Sequence, residues 1–221
     1  MIKENFKNKV ESYSDIDFQG YRFTKISSGK DRYKSLVLRR SIYVDEYAWA
    51  KGQNAIEIDE FDTFSTHFSI KDRAGDTVAT IRSTDHDFDW MATNCYENAF
   101  STQAEAIKNP GIVEVSRLCI KSDYRNKFID QNISALDLLL SGVLAHHYKE
   151  NKKGFVIITH SSMFALLKRR GMEIKKLSNT KTMDDGCKIT IMYIDIEKSW
   201  RNFFPLNTIM EKSIEAAAYG T

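Results

Sequence analysis

The chain has 221 residues, 42% of them hydrophobic and 12% aromatic, which is enough to bury one sizeable core. Its formal net charge of +2, from 32 basic and 30 acidic residues, does not suggest a nucleic-acid-binding protein. We therefore predict one domain over residues 1–205, followed by a C-terminal helical tail over residues 206–221. No apolar run approaches the roughly 18 to 20 residues that cross a bilayer, and residues 1–14 lack a signal-peptide core, so we predict a cytoplasmic protein without a membrane span.

Several common kinds of functional site are not indicated. Cys95, Cys119 and Cys187 are widely separated and lack C-x-x-C spacing, so we expect small buried side chains rather than disulfides or a zinc site. The histidines show no metal spacing, and the adjacent His146 and His147 are expected to be a half-exposed pair. Walker, G-x-G-x-x-G, G-x-S-x-G and H-E-x-x-H motifs are all missing. We expect neither a metal nor a cofactor.

The first half of the chain predicts a strand, a helix and a hairpin. Residues 21–27 alternate as a short strand does, and residues 30–49 place apolar side chains close to a 3.6-residue period. Two alternating runs, 65–72 and 77–85, flank an Ala-Gly-Asp turn and predict an antiparallel hairpin. Residues 86–109 have no clean period and are expected to mix loop with a short helix.

The second half predicts alternating strands and helices. Residues 154–160 form a continuous apolar run that is typical of a central strand, and a helix follows between Ser161 and Gly171. The other elements are a strand at 111–122, a helix at 133–151 and a strand at 187–196. This order predicts an α/β fold with a mixed sheet and helices on both faces.

Charge is distributed unevenly along the chain. Residues 43–105 contain four basic and thirteen acidic residues, a net of −9, whereas residues 111–181 contain thirteen and six, a net of +7. The difference is compatible with two surfaces that meet different partners, or with neighbouring elements that neutralise each other.

Several polar residues occupy positions of the predicted strands and helices where apolar side chains are expected. Alternation sends Glu114 and Ser116 to one face of their strand and Arg117 to the other, unless a bulge intervenes. Charges at central positions are costly unless paired, so we expect the arginines of this set to meet its carboxylates. Either the resulting network is structural, or one or two carboxylates remain free to bind or deprotonate an amine. The set comprises Arg39, Tyr43, Trp49, Glu57, Asp59, Asp62, Arg82, Glu114, Ser116 and Arg117.

In this order and at nearly this spacing, the set resembles the acyl-homoserine lactone synthases. Their pattern is an Arg four residues before an aromatic residue, a Trp six residues later, E-x-D-x-x-D, a strand Arg and E-x-S-R, and it is matched from about residue 35 to 120. The aromatic is Tyr43 where Phe is more usual. The stretches "DEFDTFSTHF" and "EVSRLCI" are equally similar to the related N-acyl amino acid synthases. Both families resemble the GNAT acyltransferases, which implies one domain whose mostly antiparallel sheet has a V-shaped split.

The resemblance implies transfer of a fatty acyl group from acyl carrier protein to the α-amine of S-adenosylmethionine, with lactone closure releasing methylthioadenosine. It implies that Glu57 or Glu114 is the base, while Asp59 and Asp62 shape the amine pocket. Arg82 and Arg117 would hold the carboxylates, with Ser116 beside them. Arg39, Tyr43 and Trp49 would close the acceptor side, and simple core packing is the alternative for Trp49.

The donor prediction depends on a missing glycine. Members of the fold that use acetyl-CoA hold its pyrophosphate with a glycine-rich loop, whereas the corresponding stretch "YRNKFIDQNIS" has none, which favours a carrier protein. Carrier proteins are acidic, so a basic surface is expected to dock one. Its candidate residues are Arg125, Lys127, Lys149, Lys152, Lys153, Lys168, Arg169 and Arg170.

Two other functions remain open at this point. A free amino acid in place of S-adenosylmethionine would make the product a long-chain N-acyl amino acid. A catalytically degenerate fold would act as a binding module. We expect a monomer or weak dimer, and an apolar tunnel for the acyl chain with candidates Leu138, Leu139, Phe155, Ile157, Met163, Phe164 and Leu167.

Overall fold

The computed structural model describes residues 15–50, 54–94, 97–183 and 186–219. Cys95 therefore lies outside the described residues, whereas Cys119 is buried and Cys187 is partly buried. None of the helices in these ranges is long and apolar enough to cross a membrane.

The first half of the described chain builds a hairpin, a helix and a second hairpin. Helix α1 continues directly into a π-helical turn at Ser41–Glu46, and a 3₁₀ turn follows at Glu60–Thr63. The regular elements are β1 (Asp15–Phe18), β2 (Tyr21–Lys25), α1 (Gly29–Arg40), β3 (Thr66–Lys71) and β4 (Thr77–Asp85).

Longer helices and the central strands follow. The helices are α2 (Met91–Asn94), α3 (Glu97–Ile107), α4 (Ala135–Lys149), α5 (Ser161–Arg169), α6 (Ile196–Asn202) and α7 (Phe204–Tyr219). The strands are β5 (Ile112–Ile120), β6 (Phe128–Asp130), β7 (Ile133–Ser134), β8 (Gly154–His160), β9 (Ile174–Lys176), β10 (Lys181–Thr182) and β11 (Lys188–Asp195).

Local sequence signals account for the starts of these elements. Helix α1 begins after Ser28, whose hydroxyl accepts the Asp31 N–H at 3.1 Å. Helix α4 begins with a capping box, in which Ser134 and Asp137 each bind the other's backbone N–H. The β3–β4 turn places Gly75 at φ +81°, a conformation in which a Cβ is unfavourable.

Within the described residues the main sheet runs in the order β1-β2-β3-β4-β5-β8-β11-β10, with β9 also paired to β11. Only β5 and β8 are parallel neighbours. They pair over just three positions, Ile112–Glu114 against Gly154–Val156, and no pairing continues beyond them. The sheet is therefore split between its two central strands, open toward the carboxyl ends of β5 and β8.

Helices cover both faces of the sheet. Neighbouring residues of β5 enter different clusters, since Val113 packs in the core with α4 and Ile112 packs with Trp90 and Phe100. Helices α4, α6 and α7 lie on the first face, while α1, α2 and α3 cover the second. The chain after residue 205, predicted as a helical tail, is part of α7, and its Leu206 and Ile209 are fully buried in the main core.

The predicted fold class is confirmed: the sheet is mixed, mostly antiparallel and split, with helices on both faces. Strand β1 was not predicted from the sequence, because four residues with two inward apolar side chains are a weak signal. The predicted helix over 30–49 ends earlier, since its last turns wind into the π-helical segment and Ala48 then adopts φ +54°.

Candidate active site

A cavity of about 1090 Å³ opens where β5 and β8 diverge. Its lining is polar and aromatic at one end, where Tyr43, Trp49 and Arg117 contribute. Toward the helix layer the lining becomes apolar, with Val143 and Phe203 among its residues. An opening between strands that is polar outside and apolar inside suits a molecule with a polar arm and a hydrophobic chain.

Three arginines and three carboxylates form one cluster beside this cavity. Arg39 donates from Nε to Glu57 and from Nη1 to Asp62, each at 2.5 Å. Arg82 Nη1 bridges Asp59 and Asp62, at 2.8 Å from the Asp62 oxygen. Because three positive and three negative groups meet, the cluster is neutral, and each of its carboxylates has at least one arginine partner.

Arg117 completes the cluster from the cavity side. Its Nη2 lies 2.7 Å from Asp59 Oδ2 and its Nε lies 3.3 Å from Glu57 Oε1. The guanidinium also lies over the Tyr43 ring, 5.3 Å from its centroid, so it connects the ion cluster to the aromatic mouth.

The E-x-D-x-x-D spacing has a local structural cause. Asp59 precedes the 3₁₀ turn, and its Oδ1 accepts the Phe61 N–H at 3.1 Å. In return Asp62 Oδ2 accepts the Asp59 N–H at 2.8 Å, so the two acids form a capping box. Glu60, which lies between them in the sequence, is exposed.

Asp62 is the most enclosed carboxylate of the cluster, with no solvent-exposed surface. Burial alone would raise its pKa, but the bonds to Arg39 and the charge of Arg82 outweigh burial and hold the pKa far below its ordinary value. The neighbouring His67 is also buried, and burial lowers its pKa to about 4, so its ring is neutral at physiological pH.

A β-bulge in β5 decides which side chains reach the cluster. Ser116 pairs with Arg82 and Cys119 pairs with Thr80, so Arg117 and Leu118 together face one residue of β4. Arg117 adopts φ +53°. The bulge was left open in the sequence interpretation, and it explains how Arg117 and the Ser116 hydroxyl, which accepts from Arg82 Nε at 3.1 Å, both engage the cluster.

Glu114 differs from the other acids. Its oxygens accept the backbone N–H groups of Met91 at 2.9 Å and Ala92 at 2.7 Å. Among the described residues no arginine lies within ion-pair distance of it, so the expected Arg–Glu114 pair is not formed. The reason is geometric, since β5 directs this side chain toward the start of α2. Burial raises its pKa, and the two N–H bonds and the charge of Arg82 only partly oppose that rise.

Aromatic side chains form the mouth of the cavity. Trp49 stacks on Tyr47 with ring centroids 4.4 Å apart and lies 5.8 Å from Tyr43. Trp49 remains 52% exposed, so it does not pack in the core. Tyr43 donates to the Leu118 carbonyl at 3.1 Å, and burial raises its pKa well above the ordinary value. Arg125 donates to the Tyr47 hydroxyl at 2.9 Å.

Some residues at this site carry no clear sequence signal. Met91 supplies an N–H to Glu114, and its sulfur lies 2.9 Å from Arg82 Nη2. On the opposite wall, His160 Nε2 lies 2.9 Å from Cys187 Sγ, and both residues line the cavity. The only hint for His160 was its position at the end of an apolar strand, the place where α/β folds present functional side chains.

The predicted basic surface is divided between two regions. Four of its residues line the cavity near the open end of the split, namely Arg125, Lys127, Arg169 and Arg170. Lys149, Lys152 and Lys153 instead precede β8, where β5 and β8 are still paired. Lys168 is exposed on α5 without lining the cavity.

The tunnel candidates are divided in the same way. Four of them line the cavity, namely Phe155, Ile157, Met163 and Leu167. Leu138 and Leu139 are fully buried in the main core instead, and Phe164 packs at the edge of that core. Periodicity could not separate these roles, because a tunnel wall and a core position are both apolar.

Comparison with known proteins bears on the fold and on the chemistry. The family model "Acetyltransferase (GNAT) domain" matches residues 38–134. The acyl-homoserine-lactone synthase of Vibrio anguillarum is 26% identical over 186 residues, which cover 82% of this chain and 95% of that protein. These matches confirm the resemblance drawn from the sequence and identify an acyltransferase.

Solved structures agree on the fold. BjaI, a CoA-dependent acyl-homoserine lactone synthase solved with MTA, has a TM-score of 0.70 at 14% identity, covering 90% of this chain and 89% of its own. FeeM, an N-acyl amino acid synthase from uncultured soil microbes, has a TM-score of 0.62 at 12% identity, covering 82% of this chain and 93% of its own.

Proposed function

We infer that this acyltransferase, which has the GNAT fold and resembles the acyl-homoserine-lactone synthases, transfers a fatty acyl group from acyl carrier protein to the α-amine of S-adenosylmethionine. The observation that carries the proposal is the split between β5 and β8, which opens a cavity lined by Glu114 and by Arg117 of the arginine–carboxylate cluster. In this proposal the product is an acyl-homoserine lactone.

The donor arm would enter between the two strands. Beyond Glu114 and Val156 the facing edges of β5 and β8 no longer pair with each other, so their backbone groups are available to an inserted ligand. A pantetheine arm carries amide groups that match such edges, and the acyl chain would continue into the apolar part of the cavity. Backbone N–H groups of β5 would stabilise the oxyanion that forms on the thioester carbonyl.

Glu114 is the better candidate for the base. Amide formation requires a neutral amine, so a carboxylate must accept a proton from the ammonium group, directly or through water. Glu57 is bound to Arg39 at 2.5 Å and to Arg117, so its two oxygens already have guanidinium partners. Glu114 has a raised pKa and lines the cavity. It is therefore better suited to accept the proton that the ammonium group loses near neutral pH.

After deprotonation the amine would attack the thioester carbonyl and the carrier thiol would leave. The methionyl carboxylate of the acylated intermediate would then displace methylthioadenosine and close the lactone. Trp49 and Tyr43 would provide ring faces for the sulfonium cation, since the neutral cluster offers it no excess negative charge.

The absence of net charge on the arginine–carboxylate cluster favours a second candidate function, that of an N-acyl amino acid synthase. A free amino acid carries no sulfonium group and needs no anionic or aromatic partner for one. Arg117, which reaches both the cluster and the aromatic mouth, could then meet the carboxylate of the amino acid.

A product assay separates these possibilities. The purified chain is incubated with a long-chain acyl-carrier protein or acyl-CoA, each with S-adenosylmethionine or a mixture of amino acids, and products are identified by mass. We expect a lactone and methylthioadenosine, formed fastest from the carrier-protein donor. An N-acyl amino acid without methylthioadenosine would support the second candidate, and faster turnover of acyl-CoA would contradict the proposed donor.

A further inference from the structure

A group of potential metal ligands lies at the carboxyl end of α4, outside the residues that line the cavity. It consists of His146, His147 and Glu150, whose candidate ligand atoms all lie within 4.8 Å of one another. His146 Nε2 is 3.2 Å from one oxygen of Glu150, and His147 Nδ1 is 3.6 Å from the other. The adjacent position of the two histidines gave no metal-binding pattern in the sequence.

These separations suit a divalent ion. Zinc binds imidazole nitrogen and carboxylate oxygen at about 2.0–2.2 Å, which places neighbouring ligands of a tetrahedral site about 3.3–3.5 Å apart. The two histidine–glutamate distances, 3.2 Å and 3.6 Å, are close to that spacing. The candidate ligand nitrogens of the two histidines lie within 4.8 Å of each other.

The surroundings of His147 point to a ligand as well. The residue is 3% exposed, and its Nδ1 has no hydrogen-bond partner. On the other side of the ring, Nε2 lies 3.1 Å from the Ser83 hydroxyl of β4. When Nε2–H donates to Ser83, Nδ1 directs its lone pair at the Glu150 carboxylate, and a cation between them removes the repulsion.

Neighbouring charges leave room for a cation. Lys149 precedes Glu150 in the chain, and Lys152 follows two residues after it with its Nζ bound to Asp85 at 2.7 Å. Burial lowers the pKa of His147, which keeps its ring available as a neutral ligand. Two neutral imidazoles and one carboxylate would give the site a net charge of +1 with a divalent ion.

We propose that His146, His147 and Glu150 bind one zinc ion or a similar imidazole-binding divalent cation, with water in the fourth position. Because Ser83 orients His147, the ion would fasten the end of α4 to strand β4. The site would act on stability, since none of its three ligands lines the acyl-transfer cavity.

The test uses the full chain without a histidine tag, freed of metal by a chelator and dialysed. ZnCl₂ is titrated by calorimetry, and CoCl₂ is titrated by visible absorption, which reports tetrahedral coordination. We expect one ion per chain, intense cobalt bands, and a melting temperature raised by about 5 °C at saturating zinc.

Glu150→Gln and His146→Ala should weaken zinc binding by a factor of at least about 100, because each removes a direct ligand. His86→Ala is the matched control, since His86 also contacts two carboxylates but belongs to no three-ligand group in the described chain. Circular dichroism verifies that each variant folds. Absence of zinc binding by the wild type, or equal zinc binding by wild type and Glu150→Gln, would overturn the proposal.

Discussion

Asp62 and Glu114 are both almost fully buried, yet their surroundings move their pKa values in opposite directions. Asp62 receives two guanidinium groups, which stabilise its charge more than burial opposes it. Glu114 receives only two neutral N–H groups, so burial dominates. The hydrogen-bond and ion-pair partners of a carboxylate, rather than its degree of burial, therefore decide the direction in which its pKa moves.

Glu114→Gln tests the proposed base. The substitution keeps the shape of the side chain but removes its ability to take a proton, so kcat should fall by about 10² to 10⁴. The control is Glu60→Gln, an equivalent change at an exposed position of the 3₁₀ turn, which should keep full activity. Initial rates with saturating substrates are the measurement, and a wild-type rate in folded Glu114→Gln would exclude the role.

Asp62→Asn tests the ion cluster as a structural unit. It removes the carboxylate that Arg39 and Arg82 share and leaves the buried cluster with one uncompensated positive charge, which should cost about 3–5 kcal/mol in the free energy of unfolding. The matched variant is Asp45→Asn, whose partner Arg40 is at the surface, and its cost should be below about 1 kcal/mol. Urea denaturation followed by circular dichroism measures both, and equal costs would contradict this account.

The pH dependence of stability follows from the direction of the Asp62 shift. Its pKa in the folded chain lies below the ordinary value of 3.8, so its contribution is complete above that value and is lost as the pH falls below it. The difference in unfolding free energy between wild type and Asp62→Asn should therefore shrink below about pH 4. A difference that stayed constant between pH 7 and pH 3 would argue against a charged Asp62.

Short irregular elements, more than the long helices, position the site. The 3₁₀ turn after Asp59 holds two acids, and the bulge at Arg117 directs a third arginine to them. The π-helical turn after α1 leads to Tyr47 and Trp49 at the mouth. Each of these elements departs from regular geometry at the point where a functional side chain must be redirected.

Gly171, which follows the end of α5, tests how closely the turn after α5 packs against the end of α6. It adopts φ +92°, and an added Cβ would overlap the carbonyl oxygen of Asn202 at the end of α6. Gly171→Ala should therefore lose about 3 kcal/mol or more, from strain in the left-handed region together with overpacking. Gly75→Ala shares the positive φ but has open space, so it should lose only about 1 kcal/mol. Equal melting temperatures for the two variants would show that the backbone shifts enough to remove the overlap with the Asn202 carbonyl oxygen.

Across the whole molecule, the acidic first half does not present a free acidic surface at the cavity. Glu57, Asp59 and Asp62 are neutralised by arginines from α1, β4 and β5. The basic excess of the second half does reach the open end of the split, through Arg125, Lys127, Arg169 and Arg170. The second surface therefore has the exposed charge that an acidic carrier protein would meet.

Arg169→Glu tests that surface. Arg169 is exposed and lines the cavity, so the reversal should lower kcat/KM for acyl-carrier protein by about tenfold at low salt, because electrostatic steering is lost. The defect should decrease as salt screens the charges. Lys153→Glu, at the paired end of β8, is the control and should keep its kcat/KM. Equal losses in both variants would mean that net charge, and not this surface, governs encounter.

Much of the fold was predictable from pattern. The continuous apolar run at 154–160 coincides with β8, and the Ala-Gly-Asp turn lies between β3 and β4 as expected. Strand β1 was missed because four residues carry too little periodicity. The site was harder to predict, since its ten candidate residues come from four separate segments and only their order along the chain suggested that they form one site.

The sequence by itself determined which residue types were available: an ordered set of arginines and carboxylates, two central strands and an aromatic mouth. Only the tertiary structure decided their pairing. The capping box places Asp62 between Arg39 and Arg82, the bulge turns Arg117 toward Asp59, and the register of β5 sends Glu114 to the backbone of α2. The physical reason is that pKa and charge pairing depend on distances of a few ångströms between segments far apart in the chain, which no local pattern specifies.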